Sequence, residues 1–423
     1  MMETAPATRF QRLVHFFGLQ RSMVGLLSMV ILVGMGEHMA EQFLPLYLIV
    51  LGGGFISIGF LNGMDNLLGA LYSFPGGYLS DRLGTKRALL IFNLVSMVGF
   101  TVVILVPNWP AVLAAAALFL SWTAISLPAT MSLVAKVLPK NKRTMGVSMH
   151  SLVRRVPMAL GPVLGGLFIG IWGLELGIRV AFTGALAMAF IAAALQQLLI
   201  QDDHETRRTT QAKPAAEKNP LRLWKFMSGD LRRLLVADIL VRFCEQIPYA
   251  FVVVWAVGTR DHPGAVTELE FGLLRTVEMA TAILIYVPVA YLADRSHKKP
   301  FVVMTFSFFA LFPLVLLFCH SFWSLVGAFV LRGLKEFGEP TRKALIMDLA
   351  PEDRKAGMFG LYYLIRDVIV SVAAFGGAFL WSASPTVNLL TAFAFGVLGT
   401  VWFALRGRDL AAAPAPATAG PSP

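Results

Sequence analysis

Hydrophobic positions fall into runs of roughly 20 to 28 residues that follow one another almost from end to end. At about 20 residues per bilayer crossing, the pattern predicts twelve membrane spans: 22–50, 55–80, 87–107, 110–138, 144–172, 177–200, 231–258, 268–293, 299–320, 322–349, 355–382 and 385–406. Runs this long read as helices because a backbone crossing hydrocarbon must satisfy its polar groups within its own segment. Two stretches break the pattern. Residues 201–230 are polar and of mixed charge and divide six spans from six, and the Ala/Pro-rich end lacks apolar periodicity, so disorder is expected there. The expected organisation is an N-terminal segment 1–21, a six-helix bundle 22–200, a linker 201–230, a second bundle 231–406 and a tail 407–423.

Composition agrees with a membrane location: 423 residues, 57% hydrophobic and 14% charged, with mean hydropathy +0.69. These values exclude an ordinary water-soluble domain. The net charge of +11 sits in short loops and reads as a topology signal, with no nucleic-acid partner expected. Nearly all loop bases fall in the N-terminus and in the connections 80–87, 138–144, 200–231, 293–299 and 349–355, whereas the opposite loops hold only Arg179 and Arg260. By the positive-inside rule both termini are expected on the cytoplasmic side of a cell membrane. Arg9, Arg12 and Arg21 precede an apolar run as in a signal peptide, but Glu37, His38 and Glu41 interrupt it without a small-residue cleavage site, so a retained first span is expected. Cys244 and Cys319 lie inside apolar runs, and no disulfide is expected.

The halves repeat. A shift of 211 aligns Arg143, Gly146, Arg155, Gly165 and Gly166 with Arg354, Gly357, Arg366, Gly376 and Gly377. Pro128 and Pro139 align with Pro340 and Pro351 at 212, and Tyr78, Asp81, Arg82 and Lys86 with Tyr291, Asp294, Arg295 and Lys299 at 213. Two parallel halves related by an axis along the membrane normal give such matches.

Between spans 2 and 3, Gly77-Tyr78-Leu79-Ser80-Asp81-Arg82-Leu83-Gly84-Thr85-Lys86-Arg87 resembles the signature loop of the major facilitator superfamily. A degraded copy, Tyr291-Leu292-Ala293-Asp294-Arg295-Ser296-His297-Lys298-Lys299, lies between spans 8 and 9. The resemblance covers residues 20–406 and implies an all-α integral membrane protein of twelve transmembrane helices in two six-helix pseudo-symmetric bundles, rocking about a central cavity. It makes Gly77, Asp81, Arg82, Gly84, Lys86, Arg87, Asp294, Arg295 and Lys299 gating candidates. On span 5, Gly161-Pro162-Val163-Leu164-Gly165-Gly166 is similar to the closing half of the antiporter signature of that superfamily's exporters. Pro157 and Met158 depart from its upstream half, and Ser121-Trp122-Thr123 stands where many drug exporters carry a basic motif on span 4. Glycines at Gly161, Gly165 and Gly166, beside Pro162, also suit close helix crossing.

Ionisable groups inside a bilayer are costly and mark cavities or partners. Here they fall on span 1 (Glu37, Glu41), span 2 (Asp65), span 5 (Arg154, Arg155), span 7 (Arg242, Glu245), span 8 (Arg275, Glu278), span 10 (Arg332, Lys335, Glu336, Glu339) and span 11 (Arg366, Asp367); the central parts of spans 3, 6, 9 and 12 have no carboxylate, Lys or Arg. Spacings of three or four predict same-helix pairs Arg242/Glu245, Arg275/Glu278, Arg332/Glu336 and Lys335/Glu339. Glu37 and Glu41, one turn apart with His38 beside them, are the proton-coupling candidates. Arg154, Arg155, Arg242, Glu245, Arg332, Glu336, Glu339, Arg366 and Asp367 are the substrate-cavity candidates, Arg155 and Arg366 holding equivalent positions. Trp122, Tyr249, Trp255, Tyr362 and Tyr363 are candidate aromatic walls.

The expected activity is secondary transport of a small polar or amphipathic organic solute, with proton-coupled export favoured over a metabolite or organic-anion importer. The partners expected are the bilayer, a small-molecule substrate and protons, and the state expected is a monomer. No cofactor or metal is expected, and no Walker A loop, metal-ligand spacing or nucleophile elbow supports the rival of a membrane receptor or enzyme.

Overall fold

The computed structural model describes residues 21–120, 122, 126, 130, 133, 143–200, 223–259, 263–293, 297–351 and 355–408. The chain is an all-helical, twelve-span membrane protein. Eight of its described helical segments are long and apolar enough to cross a bilayer: spans 1, 3, 5, 6, 7, 9, 11 and 12. Of span 4 the structure describes the helix Trp109–Phe119; spans 2 and 8 are Gly54–Leu83 and Glu268–Ala293.

Three spans expected to be continuous are broken. Span 1 is Arg21–Glu41 followed by Leu44–Val50, and span 7 is Gly229–Gln246, a 3-10 turn at Tyr249–Phe251, then Val252–Val257. Span 10 is Phe322–Leu334 followed by Glu339–Leu349. Each break lies at a proline: Pro45, Pro248 and Pro340. Proline has no N–H to give the preceding turn and its ring displaces the carbonyl four residues back, so the helix stops and restarts.

The connection expected over 80–87 is also shorter than its sequence suggests. Span 2 stays helical through Leu83 and span 3 starts at Thr85, so Gly84 alone turns the chain, at φ +90°. Only glycine adopts that conformation without strain. Leu223 and Met227, in the stretch read as linker, are buried in the second half's core.

Within the first half, span 1 packs on spans 5 and 6, and span 3 on spans 4 and 6; in the second, span 7 packs on spans 11 and 12, span 9 on span 12 and span 8 on span 10. The halves meet along two seams, span 5 with span 8 and span 2 with span 11. These are equivalent under the internal repeat.

The apolar core shows where the halves are joined. One buried cluster runs through both halves, from Phe43, Tyr47 and Phe182 to Phe251, Phe271, Phe329 and Trp381. It occupies the end away from the chain termini. Towards the terminal end the core splits: Met23, Leu26, Phe92 and Ile200 pack within the first half, and Leu231, Phe306, Tyr362 and Phe403 within the second. Aromatic pairs close the far end across the seam, Phe43 with Phe271 at 6.0 Å, Phe55 with Phe251 at 6.4 Å and Phe60 with Phe375 at 5.5 Å between ring centres.

Candidate functional site

Apart from Glu336, the intramembrane charges expected in the second half form one connected network. On span 8, Arg275 Nη1 donates to Glu278 Oε2 at 2.5 Å. Glu278 Oε1 also faces Arg332 Nε at 3.5 Å and Lys335 Nζ at 3.3 Å, both from span 10. Lys335 reaches on to Glu245 Oε1 on span 7 at 2.8 Å, and Glu245 Oε2 accepts from Arg242 Nη1 at 2.5 Å. Arg242 Nη2 donates to Glu339 Oε1 at 3.1 Å, and Glu339 is held by a two-pronged contact from Arg342 at 3.0 and 2.8 Å. Arg342 donates in turn to Asp238, whose Oδ2 also accepts from Tyr362 at 3.0 Å and Arg366 at 3.4 Å. Arg366 Nε ends the chain on Asp367 Oδ1 at 2.7 Å. A buried charge is tolerated when opposite charges and hydrogen bonds surround it, and cation–π contacts add to this, the Arg366 guanidinium lying 4.2 Å from the Tyr363 ring centre.

Of the four same-helix pairs expected, Arg242/Glu245 and Arg275/Glu278 form. Arg332/Glu336 and Lys335/Glu339 do not. The break at residues 335–338 removes the regular turn that would have stacked them. Arg332 and Lys335 turn to Glu278 and Glu245 instead.

Glu336 points the other way. Its Oε2 accepts from Arg155 Nη2 of the first half at 3.2 Å. Among the described residues this ion pair joins the two halves. Both side chains are about one-fifth to one-quarter exposed, so the pair contributes about 1 kcal/mol, roughly fivefold in population. Glu336→Gln should therefore reduce occupancy of the state closed at the far end about fivefold, and Arg155→Glu with Glu336→Arg should restore it. Spin-label distances across the far end measure this; no shift in Glu336→Gln would show that the bridge does not bear on closure.

The first half divides its polar groups between two pockets. Glu37, buried, lines one with His38, Trp122, Ser126, Thr130, His150 and Arg154. The second lies between the halves and is lined by Glu41, Gln42, Asn62 and Asp65 from the first half and Tyr249, Phe271 and Arg332 from the second. His38 Nδ1 bonds Glu41 Oε2 at 2.9 Å, so the proton-coupling candidates sit in adjoining pockets. Across the seam Asn62 Nδ2 donates to the Gln246 carbonyl at 2.9 Å and Asn66 Nδ2 to Gln246 Oε1 at 3.1 Å.

Of the aromatic candidates, Tyr249 lines the central pocket. Trp122 donates to Asn93 and Trp255 to the Leu316 carbonyl, while Tyr362 and Tyr363 belong to the charge network.

The span 5 glycines mark helix crossings. A Cβ on Gly165 would stand 1.8 Å from the Met39 carbonyl oxygen of span 1, and one on Gly161 2.8 Å from His38 Cβ. Gly166 faces the other half: its Cβ would stand 2.4 Å from the Glu268 carbonyl oxygen. Gly272 reciprocates against the Pro162 carbonyl at 2.5 Å.

At the terminal end, Asp294 and Arg295 lie outside the described residues, as does the side chain of Asp81. Gly77 lies within the span 2 helix. Arg82 donates to Tyr78 Oη at 3.3 Å, Lys86 donates to the Gln197 carbonyl at 2.8 Å, Arg87 is exposed and Lys299 partly so. On the equivalent loop of the second half, Lys298 Nζ reaches Asp348 Oδ2 at 2.5 Å.

Asp238 and Arg342 were not among the expected cavity charges. The signal was present in Asp238 and Arg242, four apart, and in Glu339 and Arg342, three apart. Both missed residues stand nearer the terminal end of their spans, where a charge is usually solvated.

The sequence profile of the Major Facilitator Superfamily matches residues 23–267 and 262–423. An uncharacterized MFS-type transporter of Methanocaldococcus jannaschii is 20% identical over 363 residues, which cover 84% of this chain and 87% of that protein. A mutant of the nucleoside transporter NupG matches in structure with TM-score 0.76 at 13% identity, over 92% of this chain and 100% of that one. The peptide transporter POT in complex with sulfate matches with TM-score 0.72 at 14% identity, over 92% and 94%. At these identities the two structures establish likeness of fold.

Proposed function

The chain belongs to the Major Facilitator Superfamily and is a multi-pass membrane transporter, not an enzyme; from that membership we propose that it exports a small polar or amphipathic organic solute in exchange for protons by alternating access. The observation that carries the reading is the division of the core. A core shared at one end and split at the other is what two bundles rocking about a central pocket require. The carboxylates Glu41 and Asp65 at the inter-half pocket, with Glu37 adjoining, give protons a place to bind on the moving surface. The likeness of the span 5 glycines to the antiporter signature supports export, and the distribution of Lys and Arg supports cytoplasmic termini in a cell membrane. In that orientation the sealed end faces outward, and the segments carrying Asp81, Arg82, Asp294 and Arg295 form the opposite gate.

The organic-anion importer has less support. It needs the bases Arg154, Arg155, Arg332 and Arg366 to face an open pocket, whereas Arg155, Arg332 and Arg366 each hold a carboxylate and Arg154 shares its pocket with the buried Glu37.

Purified protein in sealed vesicles, given a pooled metabolite panel and an imposed pH gradient, tests the proposal. Gradient-driven solute movement against the direction of proton flow is the expected result. Movement with the protons would reverse the direction, and gradient-independent movement would remove proton coupling.

A further inference from the structure

We infer that Asp65, rather than Glu37 or Glu41, is the carboxylate that carries the coupling proton. The inference rests on the proton-coupled reading above and assigns its residue. Three observations carry it, the first being partnership. Glu41 is bonded to His38, and Glu37 is buried in the pocket that also holds Arg154 and His150. Asp65 has no hydrogen-bond or ion-pair partner among the described residues, although it lies well inside a membrane span. An intramembrane carboxylate without a counter-charge is costly unless it has a function.

The second observation is what surrounds it. The central pocket brings Glu41 from span 1, Tyr249 from span 7 and Arg332 from span 10 to the same space as Asp65. Glu41 has the same charge. Among the described residues Arg332 is the one base in the pocket lining, and it is paired with Glu278 at 3.5 Å and stacked near the Phe312 ring at 5.0 Å. Span 4 contributes Leu120 to the pocket, and span 11 packs Phe375 against Gly63. The charged groups of span 11, Arg366 and Asp367, are bonded to each other, and Arg366 also to Asp238. Binding a proton is therefore the direct way for Asp65 to shed its charge when the pocket is closed.

The third observation is position on the moving seam. Asn62 and Asn66 lie one helical turn apart on span 2, and both reach across to Gln246 of the second half. Asp65, three residues after Asn62 and next to Asn66, lies beside this contact. Opening the far end must break both bonds, and water then reaches Asp65 from that side. Closing remakes them and leaves access from the terminal end. The same carboxyl group thus takes a proton from water on one side and returns it to water on the other, with no other group consumed.

Proteoliposomes with the metabolite panel test this. Asp65→Asn is expected to lose pH-gradient-driven accumulation while keeping solute exchange at zero gradient, and Asp65→Glu is expected to retain both. Asp65→Ser supplies a second neutral variant should Asp65→Asn fail to yield monodisperse protein. Wild-type and neutral variants driven equally by the gradient would overturn the assignment and leave proton coupling standing. Loss of driven accumulation in Glu41→Gln with retention in Asp65→Asn would move the carrier to Glu41. A wild-type protein that ignores the gradient would remove the coupled reading and this assignment together.

Discussion

Asp238→Asn is expected to destabilise the folded protein by on the order of 1–3 kcal/mol, the cost of leaving buried donors without their charged acceptor while Arg342 keeps Glu339 and Arg366 keeps Asp367. Asp238 is 1% exposed and its Oδ2 accepts from Arg342, Tyr362 and Arg366. Asparagine keeps the shape but removes the charge, so two guanidinium groups face a neutral amide, and its own N–H donors are turned towards other donors. Thermal unfolding of purified protein in detergent measures the loss. Arg366→Met added to Asp238→Asn should recover part of it, because one of the donors facing the amide then leaves and the Asp367 it releases is partly exposed. An unchanged melting temperature in Asp238→Asn would mean that the network is solvated in the folded state.

Gly166→Val should leave each bundle folded and still abolish turnover. The contact it disturbs lies between the halves, where a Cβ would meet backbone atoms of Glu268 and Leu269 at 2.4 to 2.7 Å. Backbone in a helix cannot step aside as a flexible side chain can. Overpacking of this kind costs about 1–3 kcal/mol, a population shift of roughly 5- to 150-fold away from the state closed at the far end. Gly165→Val makes the contrast: its clash, at 1.8 Å from the Met39 carbonyl, lies within the first bundle and should reduce folded yield instead. Spin-label distances across the far end, with vesicle transport on the same samples, separate the two outcomes. A Gly166→Val protein that closes and transports normally would show that this seam is not a moving contact.

Residues in the candidate site differ in how far they could be read from sequence. Arg242/Glu245 and Arg275/Glu278 were legible because each pair lies within one regular helix, where spacing fixes neighbours. Arg332 and Lys335 were misread because Pro340 ends the regular turn before it could bring Glu336 and Glu339 to them. The proline was visible in the sequence, as were Pro45 and Pro248. Where each freed side chain would go was not visible, since that depends on which helix lies opposite.

The sequence by itself determined that this chain lives in a bilayer, that it crosses as helices, and that its halves repeat. Those properties follow from local chemistry: apolar run length, the need to satisfy backbone groups within a segment, and residue spacing along one chain. It also placed the intramembrane charges on spans 1, 2, 5, 7, 8, 10 and 11. Only the tertiary structure decided how they combine. Glu336 is bound by Arg155, 181 positions away, and Asp238 by Arg342 and Arg366, 104 and 128 positions away. An ion pair forms where packing brings opposite charges within about 4 Å, and that distance is set by how helices cross, which spacing along one helix does not encode. The same holds for Asp65, whose lack of a partner among the described residues depends on the helices packed around it.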